Sequence, residues 1–464
     1  MTSSSRQRVL LAFVLLLAAA IRLLALGRES LWLDEVISVW QVQRSLPEMM
    51  RFVAVDIHPP LYYLLLHGWL AVWSLPPAGG EALVRFPSAL ASLFSLPVIY
   101  LAGRRLGGSA VGLAAAALLA VFPLDVWYAR EARMYSLAAL WTLVAIWAGI
   151  RVASRDRWHD HVAFALAVLA GVYTHYPFGL LWVAGFALVP ILAHRKGRAL
   201  HARHWLVTQA GIVAGLIPLV PFAAHQAGGA LGHSLWQWAL ALPETAGIMI
   251  TLLVGVLVLG VIAAPAMLGV NDRRDLLHAL SRPGLVGALG FLVIGVTMWR
   301  PISSVRQFVL FTPALLLALA WVCLRRPAGR ATWAHGLLIG TFILGLTASG
   351  YLLSVPRKEG WRDVVALVGA EGQPQDGVLV HAGYLYLPFK YYYRGDLPVH
   401  WAAEGADWHT IPPLANDFRR TWLVEGHLDR VDPNREVESW FDQHNRLVKQ
   451  QSFRALTVRL YEMP

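Results

Sequence analysis

Cysteine is nearly missing from this chain. Its 464 residues hold one, Cys323, inside an apolar run. That excludes an intramolecular disulfide and a cysteine metal cluster, and leaves the redox compartment unread. Charge is scarce too: 14% of residues are charged against 57% hydrophobic, and the mean hydropathy is +0.52, outside the balance of a soluble domain. Lysine occurs only at Lys196, Lys358, Lys390 and Lys449, which speaks of base composition more than of function. No G-x-x-x-x-G-K-S/T and no G-x-G-x-x-G stands between a strand and a helix, so neither ATP-driven transport nor a bound dinucleotide is suggested. There is no internal repeat and no low-complexity segment. What is present is the composition of an integral membrane protein. The formal charge of +11 is therefore read as a topology signal at membrane edges, and no nucleic-acid partner is expected.

A hydrocarbon core of about 30 Å takes about 20 apolar helical residues per crossing, and runs of that length predict about eleven transmembrane helices. Their centres lie in 9–26, 83–102, 109–125, 134–151, 161–176, 177–193, 205–224, 245–269, 284–299, 308–324 and 332–353. The opening "MTSSSRQRVLLAFVLLLAAAIRLLAL" has a basic head and a long apolar part with no small-residue cleavage pattern, and reads as an uncleaved first span. With a cytoplasmic N-terminus, the loops on that side are Arg6 and Arg8, "RR" at Arg104, "RVASRDR", "HRKGRALHAR", "NDRRDLLHALSR" and "RRPAGR". The opposite loops carry about half as many basic residues, which is the positive-inside pattern. An odd number of spans puts the C-terminus outside. From about Pro356 the apolar runs stop; "GVLVHAG" and "ALTVRLYEM" predict short strands and "EVESWFDQHNRLV" an amphipathic helix. The expected organisation is a polytopic α-helical membrane module over 1–355, with interfacial helices in a first outer loop at 27–82, followed by a small α/β extracytoplasmic domain over 356–464.

This topology gathers the unusual polar residues on one side. The first outer loop holds "SLWLDEVISVW" and "DIHPPLYYLLLHGWL"; later outer loops hold "YAREARMYSL", "THYPF", "LGHSLWQW" and "WRPISSVRQF". Asp34, Glu35, Asp56, His58, Arg130, Glu131, Arg133, His175 and Arg306 can all face one water-filled cavity at the outer membrane surface. Ordinary loops are polar and interfacial aromatics explain the Trp and Tyr, but not arginines clustered on the side that the positive-inside rule depletes. An active site placed there has little access to nucleotide sugars, so an activated sugar would arrive on a lipid phosphate. Its displacement needs a base for the incoming hydroxyl and cations for the departing phosphate.

The ordered set "LWLDE", "DIHPPLYYLLLHGWL", "YAREARMYSLAAL", "SSVRQFVLFTPALLLALA" and "GWRDVVALV" resembles the bacterial branch of the GT-C glycosyltransferases, the family 39 group. That group is related to the protein O-mannosyltransferases and to the aminoarabinose transferases of lipid A. No single motif is specific; their order across nearly the whole membrane part carries the resemblance. It implies a GT-C fold and an inverting transferase in the inner membrane. Such an enzyme takes a sugar from a polyprenyl (undecaprenyl) phosphate and gives it to an envelope acceptor: lipid A, lipopolysaccharide, another glycan or a protein. It also implies that Asp34 is the catalytic base, since the family's acidic residue lies in the first outer loop, and that Arg306, just before the tenth span, contacts phosphate or pyranose.

The residues themselves leave alternatives open. Asp34 could instead cap a helix beginning at "DEVISVW", and Glu35 could hold the acceptor, tune Asp34 by like-charge repulsion or simply be solvated. Helical spacing over "YAREARMYSL" would put Arg130 and Arg133 on one face, suited to clamping a phosphate, with Glu131 and Tyr135 on another; a local salt bridge is the bland alternative. His58 and Tyr62 are further donor-binding candidates, and the two prolines of "DIHPPLYY" fix the direction of that segment. Asp56 with His58 could ligate a metal, but no spacing indicates one and no cofactor is required. His175 is either a cavity residue or an interfacial histidine. His194, His201 and His204 fall on the basic side and are assigned no chemistry. The rival class is a transporter or flippase of lipid-linked saccharides, for which repeated halves and midplane charges would be expected.

Overall fold

The structure is a computed structural model that describes residues 3–74, 79–198, 200–232, 305–324, 331–401 and 418–463. The chain divides into two compact units. The helical unit comprises Met1–Leu24, Ser45–Trp69 and Phe86–Leu353; the sheet unit comprises Ala25–Arg44, Leu70–Arg85 and Ser354–Pro464.

The helices, in chain order, are α1 (Ser3–Leu23), α2 (Leu33–Val42), α3 (Leu46–Val55), α4 (Leu61–Val72), α5 (Glu81–Gly107), α6 (Ser109–Val121), α7 (Pro123–Ala129), α8 (Tyr135–Arg155), α9 (Trp158–Thr174), α10 (Phe178–Arg195), α11 (Ala202–Leu216) and α12 (Val220–Gly232), then α13 (Thr312–Leu324) and α14 (Ala331–Ser354). A helix stands at each expected apolar run inside the described residues; the expected runs 245–269 and 284–299 lie outside them. By length and composition, α5, α8, the stretch Ala202–Gln226 and Ala334–Ser354 can each cross a membrane; α6 and α7 are long and apolar enough only taken together, with a bend of 60° between them. Phe13 and Leu16 of α1, Phe94 of α5, Leu166 of α9 and Leu344 of α14 are exposed, the outward apolar surface that a bilayer rather than water would cover.

One core joins α1, α5, α6, α8, α13 and α14 through Ala18, Ile99, Leu119, Leu143, Leu317 and Leu338; a second joins α8, α9, α10 and α11 through Ala148, Phe164, Val189 and Trp205. The α5–α6 hairpin packs backbone to backbone. A Cβ on Gly112 would stand 2.4 Å from the Tyr100 carbonyl oxygen, and one on Gly103 would stand 2.7 Å from Gly112 Cα, so small residues set this approach.

The bend between α6 and α7 has a cause. Pro123 has no N–H, so the helix loses a hydrogen bond there, and the orphaned carbonyls need donors in a region without water. Arg22 supplies them. Its guanidinium donates to Ala120 O (2.7 Å) and Leu119 O (3.1 Å) and pairs with Asp125 (2.6 Å), while Ser92 Oγ donates to the same carboxylate (2.7 Å). Ser349 Oγ donates to Val121 O (2.8 Å).

The sheet unit contains five strands, β1 (Asp376–Val380), β2 (Val399–Trp401), β3 (Arg420–Gly426), β4 (Arg446–Phe453) and β5 (Leu456–Glu462), in the order β2-β1-β3-β5-β4. β1 runs parallel to both β2 and β3, and β5 runs antiparallel to β3 and β4. Helices α15 (Trp361–Glu371) and α16 (Tyr386–Tyr392) cover one face through Trp361, Val364, Val368 and Phe389. Helix α17 (Glu436–His444) covers the other through Val437 and Phe441. β1 is accordingly buried along its whole length, as a strand covered on both faces must be. The expected strands in "GVLVHAG" and "ALTVRLYEM" correspond to β1 and β5. The expected helix "EVESWFDQHNRLV" stops at His444, and its last residues begin β4.

Candidate active-site residues

In the helical unit the prolines of "DIHPPLYY" separate α3 from α4 and leave Asp56, the C-cap of α3, in the intervening turn. The carboxylate of Asp56 accepts from the Ile57 N–H (2.7 Å), from the Tyr63 hydroxyl (2.9 Å) and, at a longer 3.4 Å, from His58 Nδ1. Burial alone would raise its pKa, but these donors outweigh burial and hold the carboxyl well below the usual carboxylate range. On the other side of the ring, Arg133 Nη2 lies 3.3 Å from His58 Nε2. A guanidinium has no lone pair to offer, so it donates and Nε2 accepts. The imidazole proton is thereby placed on Nδ1, facing Asp56, and the donors converge on that carboxylate, Arg133 through His58 from one side and Tyr63 from the other.

Two further groups hold this cluster in place. Gln226 of α12 donates from Nε2 to Val53 O (2.9 Å) and His58 O (3.3 Å), and its Oε1 accepts from the Tyr176 hydroxyl (2.7 Å). Ser88 Oγ donates to Arg133 O (3.0 Å), and Tyr62 lies 3.3 Å from Ser88 Oγ. His175, at the C-cap of α9, has its ring 6.5 Å from that of His58 and edge-on to Tyr135 at 5.7 Å. Glu131, Arg133, Tyr135, Tyr62 and His175 are all buried. Asp56, His58, Tyr62, Arg133, Tyr135 and His175 are therefore brought together.

Arg130 goes elsewhere. α7 ends at Ala129 and α8 begins at Tyr135, so the residues between them form a turn rather than the expected continuous helix. Arg130 Nη1 donates to the carbonyls of Ile21 (3.3 Å), Arg22 (3.0 Å) and Leu24 (2.8 Å), covering orphan acceptors at the end of α1. The three-residue spacing thus sends the two arginines to different partners. Arg306 is half-buried in a short 3-10 turn, Val305–Leu310, whose Leu310 belongs to the core around α8 and α9.

In the sheet unit, Asp34 and Glu35 occupy the first turn of α2. The N-cap is Trp32, and the carboxylate that reaches its N–H is that of Glu35 (3.3 Å), so Asp34 does not have the capping role. Asp34 is half-buried at the positive end of the helix, a favourable place for an anion, and its carbonyl accepts from Ser38 Oγ (2.9 Å). Glu35 is fully buried, with Arg85 on both of its oxygens (2.8 and 2.7 Å) and Lys358 Nζ at 3.1 Å. Arg85 spends its remaining N–H groups on the carbonyls of Leu26, Glu29 and Ser30 at 2.9 to 3.0 Å. The Tyr392 hydroxyl accepts from Leu31 N–H (2.7 Å) and donates to Glu81 (3.1 Å). The segment that carries Asp34 is thus fixed from residues 26 to 35. Arg85 and Lys358 were missed in the sequence, which does not show that Glu35 is buried and needs their charge.

Residues 57–225 match the family of dolichyl-phosphate-mannose-protein mannosyltransferases, a stretch that includes His58, Tyr62, Arg133, Tyr135 and His175 but not Asp34 or Glu35. No curated protein matches the sequence. Among solved structures, the archaeal oligosaccharyltransferase AglB from Archaeoglobus fulgidus, in complex with an inhibitory peptide and a dolichol-phosphate, aligns at 10% identity and a TM-score of 0.52, over 90% of this chain and 69% of that one. ArnT from Cupriavidus metallidurans, bound to undecaprenyl phosphate, aligns at 15% identity over 97% of both chains with a TM-score of 0.47. The S. cerevisiae protein O-mannosyltransferase complex Pmt1-Pmt2, bound to its sugar donor, aligns at 20% identity over 47% of this chain, which spans 33% of that one, with a TM-score of 0.37. The oligosaccharyltransferase likeness concerns the fold, and the family match falls on the segment that holds the Arg133 cluster. The chain has a fold like that of the archaeal oligosaccharyltransferase and, over residues 57–225, is similar to the dolichyl-phosphate-mannose-protein mannosyltransferases.

Proposed function

We propose that this protein is an inverting glycosyltransferase that moves a sugar from a polyprenyl phosphate carrier to a hydroxyl of an envelope lipid, glycan or protein, at the outer face of a bacterial inner membrane. In this reading the N-terminus is cytoplasmic and the sheet unit lies outside. The observation that carries it is the part-buried chain Tyr63–Asp56–His58–Arg133, in which a permanent cation is aimed by an imidazole whose tautomer is fixed. Such a cation suits a phosphate, whose oxygens accept paired N–H bonds, and a related fold is found with dolichol-phosphate bound.

The proposed chemistry is a single displacement. The acceptor oxygen forms a bond to the anomeric carbon from the face opposite the phosphate, Asp34 takes the hydroxyl proton, and the carbon–oxygen bond to phosphate breaks. The electron pair leaves on the polyprenyl phosphate, where Arg133, with Arg306 as a further contact, stabilises the charge. One in-line displacement inverts the anomeric centre. Glu35, buried among cations, acts as a positioning residue that holds the Asp34 segment, and Tyr62, Tyr135 and His175 shape the sugar and phosphate contacts.

Asp34→Asn in purified protein tests this reading. General-base loss predicts a drop in turnover of about 10²- to 10⁴-fold with carrier binding retained. Undiminished transfer in that variant would sink the assignment of Asp34. Mass spectrometry of lipid-linked sugars and envelope glycans from a deletion strain would identify the sugar and the acceptor.

A further inference from the structure

The arginine-rich loops hold a cluster that sugar transfer does not use. Asp156 caps α8 in the left-handed conformation (φ 48, ψ 43), which Asp tolerates better than most residues. That turn brings its carboxylate to the start of α11, where His201 is the N-cap and His204 stands three residues on, on the same face. Asp156 Oδ2 accepts from His201 N–H (2.8 Å) and faces His201 Nδ1 at 2.5 Å. Asp156 Oδ1 lies 2.7 Å from His161 Nε2 and 3.8 Å from His204 Nδ1.

We propose that Asp156, His201 and His204 form a binding site for one divalent transition-metal ion of the zinc class. One donor atom from each of the three lies within 4.8 Å of the others. Nitrogen and oxygen donors bond such an ion at about 2.0 to 2.2 Å, which puts tetrahedral neighbours about 3.3 Å apart; small rotations of the two more exposed imidazoles, His201 and His204, close the difference. A plain salt-bridge cluster leaves one feature unexplained. His204 Nδ1 is buried and has no hydrogen-bond partner among the described residues, although it stands beside a carboxylate. A metal ion supplies the missing partner.

The surroundings match those of a ligating carboxylate. His161 is buried with Nε2 on Asp156 and Nδ1 on Thr208 Oγ1 (2.8 Å), and Thr208 Oγ1 donates to the His204 carbonyl (2.7 Å), an outer layer that orients both ligands. The ring of Trp158 packs against His161 and His204 at 6.4 and 6.2 Å, shielding one side. Two imidazoles and one carboxylate favour zinc, cobalt or nickel over calcium and magnesium, which prefer all-oxygen sets. The ion would tie the α8–α9 turn to the head of α11, with a fourth position for water.

The test uses the full-length protein in detergent, stripped with a chelator and titrated with Zn²⁺ by calorimetry and with Co²⁺ by visible absorbance. One equivalent of Zn²⁺, a tetrahedral Co²⁺ spectrum and a metal-dependent rise in thermal stability are expected. In the double variant His201→Gln/His204→Gln, and separately in Asp156→Asn, affinity should fall at least tenfold and the cobalt spectrum should vanish. The exposed histidine substitutions preserve the fold, which an unchanged gel-filtration profile verifies. No stoichiometric binding by the wild type, or equal binding by the double variant, overturns the site.

Discussion

Replacing Glu35 by Gln separates a positioning role from a catalytic one. The carboxylate is fully buried and neutralises two cations, Arg85 at 2.7 and 2.8 Å and Lys358 at 3.1 Å, both nearly as buried as itself. The amide keeps the shape but leaves both cations without their counter-charge. Removing one partner of a buried pair costs about 3 to 5 kcal/mol. At about 1.4 kcal/mol per tenfold, that is two to three and a half orders of magnitude in the local opening equilibrium. Hydrogen exchange over residues 30–42 measures it directly: the amides of Leu31 to Val36 should exchange faster by that factor, while peptides of β3 and β5 change far less. Turnover should fall with the displaced Asp34. Replacing Glu35, Arg85 and Lys358 together by Met should recover much of the protection, because apolar groups of similar volume remove the unpaired charges. Exchange within threefold of wild type in Glu35→Gln, combined with lost transfer, would refute this account and give Glu35 a direct part in the chemistry.

Other outcomes follow from the same geometry. Arg133→Ala should weaken binding of a polyprenyl phosphate by roughly 10- to 150-fold, the worth of a charge-assisted hydrogen bond, and Arg133→Lys should restore only part; equal binding by all three proteins in a carrier-binding assay would remove Arg133 from the donor site. The Asp56 carboxyl is held below its unfolded value of about 3.9, so its stabilisation is present above that value and lost as pH falls through the folded pKa. Unfolding profiles should therefore be flat in this contribution from pH 5 to 8, and Asp56→Asn should flatten the acid limb below about pH 4; an unchanged acid limb contradicts the assignment. Arg22→Met should destabilise the helical unit by about 3 to 5 kcal/mol, and adding Asp125→Leu should return part of that loss, as measured by thermal inactivation in detergent. Gly112→Leu should disrupt the α5–α6 hairpin outright, since even its Cβ would lie 2.4 Å from a carbonyl oxygen; a normally folded variant would show that these helices can separate.

The sequence made the helices and the polar side of the molecule legible because both are local signals. Apolar run length locates α5, α8 and α14, and the alternating apolar residues Leu456, Val458 and Leu460 locate β5. It missed the commitments that depend on contacts distant in the chain. Arg130 and Arg133 look like a clamp only if α7 and α8 are one helix. Pro123 and the Arg22–Asp125 pair bend the chain just upstream, and Arg130 then serves α1 while Arg133 turns to His58. Arg22 itself passes without a role inside the first span, because nothing nearby shows that Asp125, 103 residues away, will meet it. The same limit hid Asp156 from His201 and His204, which a count of basic loops sorts into a topology signal. A histidine in an arginine-rich loop carries no chemistry by its surroundings in sequence. It acquires one only when a left-handed cap turns a carboxylate towards it, and that turn is visible in the backbone alone.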